Sequence, residues 1–281
     1  MAGLACRVLL PQDVSSEEAM RMTSTITTSQ TERYARFYAP WRRIESLFRF
    51  DVRYRARRLR QMLRSCGVDL EGGRVLEVGF GGGDLLASFP STCHVVGAEV
   101  SASAVERARR DPRFRAFRSA RFAQADEGRP ESLPDGPFDV VVSAHVLEHV
   151  PDDRAVLAAA RRRLRPGGWL AVFVPIEEPD YIRYHLRAYS LQSIHERVLQ
   201  AGFDVMHTEG SMHVNGHVWK LITIPSRRRW PLLGPVVDAF RCGTLSLLPH
   251  SALCACDRLL DRLGVGPRQA LVVARKPVDE L

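Results

Sequence analysis

Apolar and polar positions along this chain change period several times, and each change predicts an element. Up to about residue 28 the pattern is polar and rich in Ser and Thr, ending in "TSTITTSQ", and predicts a loose tail. From 31 to 66 apolar positions recur at helical spacing, first Tyr34, Phe37, Tyr38 and Trp41, then Ile44, Leu47 and Phe48. A second helix through "VRYRARRLRQMLRSCG" stops at Gly67. Beyond it, short apolar runs alternate with amphipathic segments. "VLEV" at 75–78, "HVVGAEV" at 94–100, "ARFAQAD" at 120–126 and "FDVVVSAH" at 138–145 predict four strands. "WLAVFVP" at 169–175, "FDVMHTE" at 203–209 and "ALVVARK" at 270–276 predict three more. The near-continuous apolar run of the fourth suits a parallel strand covered on both faces. Between the strands lie a short helix at 84–89 and a helix entered through the capping-box pattern of Ser103 and Glu106. The next helix is capped by Asp152, carries Arg161, Arg162 and Arg163 in its last turn, and is stopped by Pro166, Gly167 and Gly168. A further helix opens at Ser190, gathers Leu191, Ile194, Val198 and Leu199 on one face, and ends at Gly202.

Regular alternation of strands and helices predicts an α/β domain with a doubly wound, mostly parallel seven-stranded sheet. N-terminal helices precede it, and a helical insertion comes before the last strand. The expected organisation is a tail at 1–28, a helical cap at 29–70 and a ligand-binding domain at 71–281 with an insertion at 210–268. That insertion contains "RRRWPLLGPVVDAF" and a helix at "SALCACDRLLDRLG".

Composition changes this picture little. The chain has 281 residues, 45% of them hydrophobic, enough for a substantial core and against wholesale disorder. The net charge of +8 comes from arginines scattered over the whole length and reads as solvated helix faces and helix ends. No RNA-binding module accompanies it, so no nucleic-acid partner is expected. An RNA acceptor stays an alternative, with its arginines gathered around the ligand mouth. The six cysteines have no CxxC spacing and predict reduced thiols without zinc. The start lacks a signal-peptide pattern, and the apolar uncharged stretch at 242–256 is too short to span a bilayer. The expectation is a cytoplasmic protein.

The chemistry begins at "GFGGGD", directly after the first strand. Gly79, Gly81, Gly82 and Gly83 let a turn reverse tightly and let a ligand approach the main chain. The dinucleotide spacing G-x-G-x-x-G is broken by Asp84 in its sixth place. Glu99 ends the second strand, 22 residues after Glu77, where a carboxylate accepts from both hydroxyls of a ribose. Asp126 follows the third strand, where a carboxylate accepts from an adenine amino group.

With "FDVVVSAHVLEHVPD" and "LRPGGWLAVFVP" added, the chain resembles the class I S-adenosylmethionine-dependent methyltransferases, in particular the small-molecule branch with the ubiquinone-pathway O-methyltransferases. "VLEVGFGGGD" matches the first motif of that family and "VVGAEVS" the acidic second. "LEHVPD", "LRPGGWL" and "AGFDV" match its later signatures. The resemblance covers about 73–208 and the last strand near 269–275. It implies a Rossmann-like methyltransferase fold and S-adenosyl-L-methionine as cofactor. Residue by residue it implies that Glu77 positions the methionine amino end and that Gly79, Phe80 and Gly81 offer it their backbone. It implies that Glu99 holds the ribose, Val100 packs on the adenine, Asp126 reads the adenine edge, and Ala144 lies beside the sulfonium.

Methyl transfer to a hydroxyl or phenol needs a base, and histidine suits that task near neutral pH. "HVLEH" supplies His145, Glu148 and His149 as the catalytic candidates. The matching family stretch, E-x-L-E-H, is implicated in divalent-metal binding. Here His145 stands in its first position, and the expectation is a site without a metal. The loops expected to border the acceptor carry Tyr181, Tyr184, His185, His213 and His217, joined by Tyr38 from the cap. There is no Asn/Asp-Pro-Pro-Tyr after the fourth strand, which argues against amino methylation of adenine or glutamine. No Pro-Cys stands where a nucleic-acid C5 methyltransferase needs its nucleophile. The expected reaction is methylation of an oxygen on a small molecule with an apolar part, walled in by the insertion and the N-terminal helices. The alternative from another class is a methyltransferase fold in a non-methylating cyclase or partner subunit. Contact of the insertion with a membrane surface is the lesser reading of its arginines and Trp230.

Overall fold

Seven strands form one sheet in the computed structural model, which describes residues 50–126, 128–176, 185–218, 236, 240, 243–245 and 247–278. They are β1 (Arg74–Val78), β2 (His94–Glu99), β3 (Ser119–Gln124), β4 (Phe138–Ala144), β5 (Leu164–Pro175), β6 (Asp204–Ser211) and β7 (Gln269–Arg275). Their order is β3-β2-β1-β4-β5-β7-β6. The first five pair in parallel, while β7 runs antiparallel to both β5 and β6. The chain therefore winds outward from β1 in one direction, then returns to place β4 on its other side. That switch opens a crevice at the carboxyl ends of β1 and β4.

The described helices are α1 (Phe50–Ser65), α2 (Ala102–Arg110), α3 (Asp153–Arg163), α4 (Leu191–Gln200), α5 (His213–Val218) and α6 (His250–Arg262). Successive strand residues point to opposite faces, so neighbours such as Val75 and Leu76, or Val140 and Val141, feed two different cores. One core packs Leu59 and Leu63 of α1 and Val105 of α2 against Val75, Val140 and Phe173. The other packs Leu157 and Ala160 of α3 and Ile194 and Val198 of α4 against Leu76, Val141 and Leu170. Covering on both faces is what the uninterrupted apolar strands require.

Local details depart from the sequence pattern where longer-range bonds intervene. The entry to α2 is capped by Ser101, whose hydroxyl accepts from the Ala104 N–H at 3.4 Å, and not by Ser103. Glu106 pairs with Arg110 at 2.6 Å instead of closing a capping box. The short helix expected at 84–89 is a single 3-10 turn at Leu86–Ser88. Helix α3 ends at Arg163 and the chain passes directly into β5, so Pro166, Gly167 and Gly168 belong to an irregular strand start. Arg163 is buried, and its guanidinium donates to the carbonyls of Glu131, Leu133 and Pro134. It was expected on a solvated face. Leu199 is exposed while Ile194 and Val198 carry the packing of α4.

A third, smaller cluster joins α1 to the segment after β6. The Tyr54 hydroxyl donates to Asp257 of α6 at 2.5 Å, and Asp257 also accepts from the Met212 and His213 backbone N–H groups, each at 3.1 Å. Arg58 pairs with Glu209 of β6. Much of the expected insertion, with the tail, most of the cap and Trp230, lies outside the described residues. Of its later apolar positions Leu253 is buried, whereas Leu259 and Leu263 are exposed. Among the described residues Cys66, Cys93, Cys254 and Cys256 are free thiols, and no helix is long and apolar enough to cross a membrane.

Candidate functional site

The register sets Val78 level with Ala98 of β2 and Ser143 of β4, so the carboxyl ends of three strands lie side by side. The turn after β1 is left-handed at Gly79, with φ of 71°. A side chain there would meet Val146 at 2.3 Å, because the loop after β4 presses against the turn. The Gly79 N–H donates to the Ala98 carbonyl at 2.7 Å. Phe80 turns inward, edge to face with Phe122 at 5.4 Å between centroids, into space that exists because position 97 is glycine. Its side chain thus anchors the turn and leaves only its backbone to the crevice.

Two carboxylates line this turn. Glu99 is buried at the end of β2 and accepts from the Gly81 N–H at 2.9 Å and the Ser101 N–H at 3.2 Å. Burial raises its pKa, and these backbone donors offset the rise in part. Glu77 is 2% exposed, and its Oε2 has no hydrogen-bond partner. Burial pushes its pKa well above the usual range. Buried carboxylate oxygens in native proteins are normally paired, so this oxygen lacks a hydrogen-bonding or cationic complement. The sequence reading missed Arg55 of α1, whose positive charge favours ionised Glu77 and which bonds Asp51 at 2.7 Å. Its only signal was one more arginine in an arginine-rich helix. Val100 is half-buried, and Asp126 is exposed with its N–H donated to the Ser132 hydroxyl at 2.8 Å.

Ala144 ends β4, and His145 follows with φ of 58° and its N–H on the Phe173 carbonyl at 2.9 Å. This left-handed residue swings the imidazole between two partners. Nδ1 lies 3.2 Å from Oε1 of Glu148, and Nε2 lies 3.1 Å from Oε1 of Gln269. Gln269 is buried at the start of β7 and bonds the Ser211 hydroxyl at 3.3 Å. No local pattern pointed to it, since it stands 124 residues from His145. Burial of Glu148 works to raise its pKa, but the His145 hydrogen bond and the charges of His145 and His149 hold it below the usual value.

The lid candidates divide. His185 lies edge to face on His149, with ring centroids 4.8 Å apart. The residues after it grip the "LEH" turn: the Leu186 N–H donates to the Glu148 carbonyl at 2.8 Å, and Arg187 donates to the carbonyls of Leu147, Val150 and Pro151. His213, expected at the acceptor, is instead enclosed between α5 and α6, its ring nitrogens 3.6 Å from Asp257 and 3.6 Å from Asp261. His217 bonds the Gly266 carbonyl at 2.9 Å. Tyr38, Tyr181 and Tyr184 lie outside the described residues. A separate cavity of about 340 Å³, lined by Asp139, Arg165, Trp169 and Arg275, opens at the amino ends of β4 and β5, away from the glycine turn. Arg165 is paired with Asp139 there at 2.5 Å, and Arg275 stacks over Trp169.

Comparison with known proteins bears on this geometry. A family model described as a methyltransferase domain matches residues 49–208, more than half of the chain. A ubiquinone biosynthesis O-methyltransferase of Thiobacillus denitrificans is 37% identical over 105 residues, 36% of this chain and 44% of that protein. Its counterpart in Bordetella bronchiseptica is 31% identical over 151 residues, 52% of this chain and 60% of that protein. The chain thus spans about half the length of the curated relatives it matches. Among solved structures, the [4+2]-cyclase SpnF shares the fold with a TM-score of 0.52 and 22% identity, over 74% of this chain and 76% of that one.

Proposed function

Because the chain belongs to the methyltransferase-domain family, we propose that it transfers the methyl group of S-adenosyl-L-methionine to an oxygen of a small-molecule acceptor. The observation that carries this reading is the buried, unpartnered Glu77 oxygen beside a glycine turn too tight for a side chain. In this reading Glu77 receives the methionine ammonium, Arg55 faces the methionine carboxylate, and the Gly79, Phe80 and Gly81 backbone runs alongside. Glu99 accepts from the ribose hydroxyls, Val100 meets the adenine, Asp126 accepts from the adenine amino group, and Ala144 leaves room at the reacting centre.

S-adenosylmethionine supplies a methyl group already activated on a sulfonium, so this chain contributes position and removal of a proton. His145 takes that proton from the acceptor hydroxyl through Nε2. Glu148 holds Nδ1 and fixes the ring, as a carboxylate does for other basic histidines. In the free protein Nε2 faces Oε1 of Gln269, an acceptor, and so carries a proton there; it serves as base after losing that proton, when the acceptor hydroxyl takes the place of Gln269. Incubation with methyl-labelled S-adenosylmethionine and an extract of the source cells should yield a labelled small molecule and S-adenosylhomocysteine. Absence of S-adenosylhomocysteine would overturn the proposal.

Two outcomes test the cofactor half. A charge-assisted hydrogen bond contributes about 1.5–3 kcal/mol, so Glu99→Ala should weaken S-adenosylmethionine binding roughly ten- to a hundredfold. Calorimetry on the folded variant checks this, and unchanged affinity removes Glu99 from the site. Affinity should also fall as the pH is lowered. Glu77 and Glu99 have raised pKa values in the free protein and must be ionised to hold an ammonium and ribose hydroxyls. They therefore take up protons, and the ligand is lost, above the ordinary glutamate value of about 4.3. A dissociation constant that stays flat down to that pH contradicts the assignment.

A further inference from the structure

The cavity of about 340 Å³ is framed by the loop after α1, the starts of β4 and β5 and the end of β7. Its volume falls in the range of small-molecule pockets, about 300–1,000 Å³. β4 has seven residues at about 3.3 Å each, so the cavity stands about 20 Å from the turn that carries His145. Four charged side chains line it, and two of them satisfy each other. Arg165 Nε donates to Oδ1 of Asp139 at 2.5 Å, and Oδ2 of Asp139 accepts from the Arg74 N–H at 2.7 Å. Arg275 and Asp69 remain. Arg275 lies over the Trp169 ring, 5.8 Å from its centroid, and its Nε donates to the Gly167 carbonyl at 3.3 Å. The guanidinium fits there because position 167 has no side chain: a Cβ would stand 3.2 Å from Nη2. Its orientation is thus fixed, while its two terminal nitrogens have no acceptor among the described residues. Asp69 accepts from the Glu71 N–H on Oδ1 at 2.9 Å, and its Oδ2 has no partner among the described residues.

We propose that this cavity binds a small zwitterion of the free amino-acid class. Its walls leave one cation and one anion without partners, so a ligand with a single charge would meet only one of them. The ligand carboxylate accepts from the terminal nitrogens of Arg275, a forked match that a planar guanidinium makes and an ammonium does not. The ligand ammonium donates to Oδ2 of Asp69. Its side chain lies toward Cys66 and Val68, which give that part of the wall an apolar surface. Trp169 and the Gly167 carbonyl hold the guanidinium before the ligand arrives, which lowers the cost of ordering it. About 20 Å from His145, this ligand is neither the methyl donor nor the acceptor. The inference therefore does not rest on the methyl-transfer reading.

The test titrates each free L-amino acid into the full chain by calorimetry. At least one should bind with a dissociation constant on the order of 1 mM or below. The deamino analogue and the methyl ester of the best binder should each bind roughly tenfold more weakly or worse, since each lacks one charge-assisted hydrogen bond. Asp69→Asn keeps the bond to the Glu71 N–H, and Arg275→Gln keeps a polar side chain. Each should lower affinity for the amino acid roughly tenfold or more. If Arg275→Gln does not fold by circular dichroism, Arg275→Lys takes its place with the same expectation, because lysine lacks the fork. Saturating S-adenosylhomocysteine should leave the binding unchanged. The proposal fails if no amino acid binds, if the deamino analogue or the ester binds as well as the amino acid, or if either variant binds like the parent. It also fails if S-adenosylhomocysteine displaces the amino acid, which would place that ligand at the glycine turn instead.

Discussion

Replacing His145 by asparagine should lower methyl transfer on the order of 10²–10⁴-fold, the usual contribution of a positioned base. Asparagine tolerates the left-handed backbone that His145 adopts, so the turn out of β4 survives the change. It does not supply an imidazole for the acceptor proton. Cofactor affinity should stay near that of the parent, because Glu77 and Glu99 stand on other strands. Steady-state turnover and calorimetry on one preparation decide the matter. Turnover near the parent value moves the base elsewhere, while an equal loss in cofactor affinity makes His145 a structural part of the cradle. Gln269→Leu offers a graded comparison: it removes the group that occupies Nε2 in the free protein and should change turnover less than His145→Asn does.

The second large effect is on stability. Asp257 accepts from the Tyr54 hydroxyl and from two backbone N–H groups within a buried joint. Burial and the adjacent carboxylate keep the Tyr54 phenol protonated well past its ordinary pKa. Asp257→Ala strands all three donors. An unsatisfied buried donor costs about 1–3 kcal/mol, so for three donors a loss of at least about 3 kcal/mol is expected, or a fall in Tm of roughly 5 °C or more. Tyr54→Phe removes one donor along with its need and should cost much less. Thermal unfolding of the two variants checks the ranking, and equal losses would show that the carboxylate does not organise the joint.

The sheet was legible because its information is local. A parallel strand buried on both faces must be apolar throughout, and "FDVVVSAH" carries that requirement in eight consecutive residues. The positions of Glu77 and Glu99 were legible for the same reason: an acid in an otherwise apolar run stands out from the packing pattern, and the two lie near the carboxyl ends of β1 and β2. The limits of local pattern appear at Ser103 and Glu106, which form a capping motif by spacing alone. Ser101 takes the cap because Glu99 draws its N–H into the preceding turn.

What the sequence by itself determined is the alternation of elements, the glycine turn and the acids that flank it, since each follows from periodicity or from the lack of a side chain. Only the tertiary structure decided the company that His145 keeps. The return of β7 antiparallel to β5 carries Gln269 across from the far end of the chain to the imidazole. Bonds from Leu186 and Arg187 to the "LEH" turn bring His185 to His149. The enclosure of His213 beside Asp257 takes it out of the acceptor loop. The reason is physical: a side chain's neighbours within one element follow from the helix or strand repeat. Contacts between elements far apart in sequence depend on the path of the whole chain, and no repeat encodes that path.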